Sequence, residues 1–130
     1  MPSLPFRIPS LYADLGKAEG TLSFEHDALT IEIQTSDSII GLLKSGVKEF
    51  TVPLSEVSEV LFKSTLFSNK IYLRGKKMST FANVPGYEKG ELLLTIARKH
   101  KETAANFVVD LQIRIQEINL KKMESDDLSQ

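Results

Sequence analysis

Seven short stretches of β-type sequence precede one long amphipathic helix, and this order constrains the fold more than any other feature of the chain. Leu22 and Phe24 alternate with polar neighbours, the period of a half-buried strand. A tight turn at His26-Asp27 leads to a second alternation, Leu29, Ile31 and Ile33. Phe50, Val52 and Leu54 mark a third strand. Pro53 must sit at its end or on an edge, because proline cannot donate to a ladder. Val57 to Lys63 is the fourth, carried by Val60 and Phe62. After Ser68-Asn69, Ile71 and Leu73 face one way, and Lys70, Tyr72 and Arg74 the other. Met78 to Val84 reads as a sixth strand ended by Pro85-Gly86, and Leu92, Leu94 and Ile96 as a seventh. From about Lys101 the period becomes helical. Ala104, Phe107, Val108, Leu111, Ile115 and Ile118 recur at helical spacing on one stripe, with no proline or glycine to interrupt them.

Composition removes several alternatives. At 130 residues the chain reads as one domain. A domain of this size buries roughly two thirds of the surface its unfolded form exposes, so it needs no staple. There is no cysteine, which excludes disulfides, thiolate metal sites and cysteine nucleophiles and fits a reducing compartment. Apolar runs such as Leu92-Leu93-Leu94 and Phe107-Val108-Val109 fall far short of the ~18 residues of a membrane span. Met1 to Ser10 lacks the pattern of a signal peptide, so a cytoplasmic protein is expected.

A net charge of −1 offers no global field for nucleic acid. The charge is nonetheless uneven. Asp14, Glu19, Glu25, Asp27, Glu32 and Asp37 are opposed only by Lys17, whereas Lys63, Lys70, Arg74, Lys76 and Lys77 have no acid among them.

Residues 1–19 read as an N-terminal arm. Pro2, Pro5 and Pro9 keep its first half extended. A one-turn helix between an N-cap at Ser10 and a C′ residue at Gly16 then packs Leu11, Tyr12 and Leu15 on the body. The body spans 20–123, and 124–130 is an acidic tail expected to be disordered. The connection from Thr35 to Gly46 carries Ile39, Ile40, Leu42 and Leu43. It is too apolar for a fully solvated loop, and folds back on the body or meets a partner.

These features resemble the pleckstrin-homology-like superfamily, in its short bacterial single-domain form. The resemblance covers Gly20 to about Met123. It rests on Gly20-Thr21-Leu22, Asp27-Ala28-Leu29, the Val52-Pro53-Leu54-Ser55-Glu56-Val57 corner, and Arg98-Lys99-His100 before the helix. It implies a mainly β split barrel of seven antiparallel strands in two near-orthogonal sheets, capped by the C-terminal helix. A lipocalin-like barrel wants another strand and a cavity. A sandwich leaves the striped helix without a place. Lipid-binding members of the superfamily carry a basic motif across the first hairpin. Here that segment is Glu25-His26-Asp27-Ala28-Leu29-Thr30-Ile31-Glu32, so their phosphoinositide site does not carry over.

Two surfaces stand out as candidates. Val109, Ile113 and Leu120 lie opposite the core-facing stripe of the helix, which marks a seam for a second helix or subunit, together with Ile39, Ile40, Leu42 and Leu43. Lys70, Tyr72 and Arg74 on one strand face, with Lys76 and Lys77 at the turn, form a basic face. Such a face either binds anionic lipid or a phosphorylated ligand, or serves solubility and blocks edge pairing.

Catalytic and metal signals are weak. His26 and His100 are far apart and lack spaced partners. The segment Gly41 to Lys48 lacks the end of a phosphate loop. No cofactor motif appears. The expectation is a non-enzymatic, self-associating module that binds protein, with lipid or anionic-ligand binding through the basic face as the alternative.

Overall fold

The computed structural model describes residues 3–11, 16–37 and 46–128. It is mainly β, with one C-terminal helix. The strands are β1 (Leu4–Leu11), β2 (Gly16–Glu25), β3 (Ala28–Asp37), β4 (Gly46–Pro53), β5 (Val57–Ser64), β6 (Asn69–Gly75), β7 (Tyr87–Glu88) and β8 (Glu91–Ile96). Helix α1 runs from Lys101 to Leu128. One 3-10 turn, Leu54–Glu56, links β4 to β5, and another, Arg98–His100, leads into α1.

All pairings are antiparallel, in the order β4-β3-β2-β1-β8-β6-β5, with β7 also paired to β8. The strands therefore form one hydrogen-bonded path, not two separate sheets, and among the described residues there are eight strands in place of the expected seven. The path narrows to a single residue pair, Arg7↔Thr95, where β1 meets β8.

Three expectations are corrected. First, the sheet begins at Leu4, not Gly20: the first part of the arm is β1, hydrogen-bonded to β2 from Leu4↔Leu22 onward. Leu4, Phe6 and Ile8 alternate inward with Pro5 and Arg7 outward, the period of a strand with one buried face. Prolines are tolerated because β8 supplies only one ladder partner, at Arg7, which lies between Pro5 and Pro9. The expected helical turn from Ser10 to Gly16 is overturned at both ends, because Ser10 and Leu11 belong to β1 and Leu11 pairs with Gly16 of β2; Tyr12 and Leu15 lie outside the described residues.

Second, Met78–Val84 is a succession of turns, not a strand. The Thr80, Ala82, Val84 and Tyr87 N–H groups donate to the carbonyls of Lys77, Ser79, Phe81 and Val84. Each bond spans three residues, and the buried residues Phe81 and Val84 are three apart, so the segment winds where a strand would alternate.

Third, α1 continues through Glu124 to Leu128, where a disordered tail was expected. Nothing between Lys101 and Leu128 breaks the helix, since the segment has neither glycine nor proline.

Elsewhere the alternation places residues as the sequence implies. Leu29, Ile31 and Ile33 of β3, Ile71 and Leu73 of β6, and Leu92, Leu94 and Ile96 of β8 are all buried. One cluster unites them with Leu4, Phe6 and Ile8 and with Ala104, Phe107, Val108, Leu111 and Ile115 of α1. Helix α1 packs against β5, the Leu54–Glu56 turn and β1. Its Phe107 meets Phe24 of β2 edge-on, with ring centroids 5.4 Å apart and planes at 76°. The helix is thus part of the core. Among the described residues, no helix is long and apolar enough to cross a membrane.

Candidate interaction surfaces

Two hydrogen bonds from opposite flanks of α1 fix its roll. On one side, Gln112 Nε2 donates to the Val60 carbonyl of β5 at 2.8 Å. On the other, Arg114 Nε donates to the His26 carbonyl in the β2–β3 turn at 2.6 Å, while its Nη1 lies 3.4 Å from Glu117 Oε2. A further bond, Lys76 Nζ to Asn119 Oδ1 at 3.4 Å, supports the Gln112 flank. With core side and both flanks engaged, the remaining face points outward.

That outward face holds Val109, Ile113 and Leu120, which are 52%, 49% and 58% exposed. Met123 is exposed as well. With Gln116 these residues step by four, three, four and three along the chain, the spacing of a coiled-coil seam, with the glutamine as its middle layer. Sequence reasoning found the first three and passed over Gln116 and Met123. The four-three alternation was the signal that would have included them. Asp110, Glu117 and Glu124, all exposed, form an acidic flank along this seam. The other half of the expected surface, Ile39, Ile40, Leu42 and Leu43, lies outside the described residues.

The structure divides the expected basic face. Lys70, Tyr72 and Arg74 do share the outer side of β6, because Ile71 and Leu73 take the inner side. Arg74 is not a free cation, however: its Nη2 lies 3.0 Å from Glu91 Oε2 of β8, and Glu59 of β5 stands opposite it in the ladder. Lys76 and Lys77 lie at the far end of β6, about 20 Å from Lys70 at the rise of a strand. Lys76 is held by Asn119, and the Lys77 backbone N–H donates to Thr80 Oγ1 at 3.3 Å. Lys70 instead pairs across the ladder with Lys63, whose ammonium sits 5.1 Å from the centre of the Tyr72 ring. Sequence reasoning left Lys63 out of the face, because the β5–β6 register that brings it there is not legible from one strand alone.

His26 occupies the β2–β3 turn with φ of 57°, exposed, its Nε2 3.7 Å from Glu25. His100 lies in the turn before α1. Among the described residues, no three histidine, aspartate or glutamate side chains gather as a metal site. No family model matches this chain, and neither does any curated protein or solved structure with which it was compared.

Proposed function

We propose that this chain is a non-enzymatic interaction module of pleckstrin-homology-like architecture that self-associates through the outer face of α1. The sheet order supports the architecture. It is a meander from β1 to β4, a break between β4 and β5, and a return through β5, β6 and β8 to β1. The helix packs on β5 and on the turn at that break, as the cap of a split barrel must.

One observation carries the functional reading: Val109, Ile113, Leu120 and Met123 form an apolar stripe on a helix whose roll is locked by Gln112 and Arg114. The stripe cannot turn inward to escape water. A second copy of the same helix covers it at the cost of few charged groups. An antiparallel pair would set the acidic flanks of the two helices against each other, so the parallel arrangement is the favoured one.

Sedimentation of the wild type against a Val109→Glu, Ile113→Glu variant tests this at protein concentrations on the order of tens of micromolar. The wild type is expected to sediment as a dimer and the variant as a folded monomer. Two monomers would end the seam reading.

A further inference from the structure

The β5–β6 hairpin turns through Thr65–Ser68, and its central residues Leu66 and Phe67 are 78% and 94% exposed. The turn is tightly bonded. Thr65 N–H donates to the Ser68 carbonyl at 2.7 Å. The Phe67 and Ser68 N–H groups donate to Thr65 Oγ1 at 3.3 and 3.1 Å. Behind the turn, the Ser64 hydroxyl donates to Oδ1 of the buried Asn69 at 2.6 Å. The apolar pair is therefore held out in water by a closed set of hydrogen bonds. A turn whose only task is to reverse the chain takes asparagine, aspartate or glycine at these positions.

Cations surround the tip. Lys63 and Lys70 stand opposite each other on the outer face, a like-charge pairing that costs stability in a ladder. Arg98 reaches over from the turn before α1 and donates from Nη2 to the Leu66 carbonyl at 3.3 Å. Lys101, the first residue of α1, lines the same cleft beside the hairpin, and among the described residues no carboxylate lines it. Among the described residues, none of these four cations forms an ion pair.

We propose that this tip docks the chain on an anionic bilayer surface. Leu66 and Phe67 enter the boundary between headgroups and acyl chains, and Lys63, Lys70, Arg98 and Lys101 face the lipid phosphates. The size of the tip argues for a bilayer over a protein. Two protruding side chains are a small part of the ~1,200 Å² that a specific protein interface buries. A bilayer requires only a short apolar insertion together with charge attraction. The acidic β2–β3 turn takes no part, and neither does the α1 seam.

The chain contains no tryptophan, so a Phe67→Trp variant carries a single reporter at the tip. Vesicles of phosphatidylcholine and phosphatidylserine at about three to one are expected to shift its emission to the blue. Pure phosphatidylcholine is expected to leave it unchanged, and added salt to weaken the shift. In co-sedimentation, a Leu66→Ser, Phe67→Ser variant is expected to lose about tenfold or more in partitioning with an unchanged unfolding transition, since both side chains already lie in water. Lys70→Gln and Arg98→Gln each lose about fivefold. Adding Val109→Glu and Ile113→Glu to the Phe67→Trp chain leaves the emission shift in place, which separates this proposal from the seam. An unshifted tryptophan, or a doubly serine-substituted chain that pellets like wild type, overturns the proposal. So does a wild type that ignores vesicles but captures a soluble protein through Leu66 and Phe67.

Discussion

Replacing Phe107 by alanine tests whether α1 belongs to the core. Phe107 is 4% exposed, and its ring packs edge-on against Phe24 of β2. Truncating a buried phenylalanine costs about 3–5 kcal/mol through lost transfer energy and the cavity left behind. The aromatic pair accounts for about 0.5–1.5 kcal/mol of that. Domains of this kind are stable by about 5–15 kcal/mol, so the loss is a large share of the whole. With a urea slope of about 2 kcal/mol/M, the midpoint falls by about 2 M. The control is the preceding residue, since Asn106 is exposed, and Asn106→Ala should stay within about 0.5 kcal/mol of wild type. Equilibrium urea unfolding followed by circular dichroism measures both variants, and equal slopes confirm that the unfolding reaction is the same. A double-mutant cycle with Phe24→Leu and Phe107→Leu should return a coupling of about 0.5–1.5 kcal/mol. A loss below about 1 kcal/mol for Phe107→Ala, or one equal to that of Asn106→Ala, would mean that the helix rides on the sheet without helping to hold it.

Removing residues 1–11 should abolish the cooperative unfolding transition, because β1 lies between β2 and β8 and contributes Leu4, Phe6 and Ile8 to the core. A truncated chain that still melted cooperatively would show that the strand is dispensable. Gly20→Ala should destabilise by about 1–3 kcal/mol, as overpacking does. A Cβ on Gly20 would run into the Glu32 carbonyl oxygen of β3 and the Phe6 ring of β1, and thermal unfolding of the purified variant measures the cost. A melting temperature equal to wild type would mean that β2 and β3 part more easily there than the packing implies.

Much of the architecture could be read from residue patterns because burial on one face leaves a periodic trace. Leu29, Ile31 and Ile33 have that trace, as do Ile71 and Leu73, and α1 announces itself when the period changes near Lys101. β1 has the same trace in Leu4, Phe6 and Ile8, but its prolines suggested a chain without ladder partners. What the sequence could not reveal was that β8 bonds this strand at one point only. Met78–Val84 failed for the opposite reason: its apolar residues suggested alternation, while the buried pair Phe81 and Val84 is spaced for a turn. On the candidate surfaces, the outward helix face followed from helical geometry alone. The basic face did not, because whether Arg74 meets Glu91, or Lys63 meets Lys70, is decided by strand register across separate segments. Leu66 and Phe67 escaped notice because exposure at a hairpin tip depends on where the turn closes.

The pairing of β1 with β8 has a consequence for synthesis. β1 leaves the ribosome well before its neighbour β8, which is finished only at Ile96, so one of its flanks stays unoccupied while the strands between them are being made. An unoccupied flank invites pairing with a neighbouring nascent chain, and proline in the strand discourages it. Pro5 and Pro9, the residues that disguised β1 as a loose arm, are thereby placed to guard it during translation.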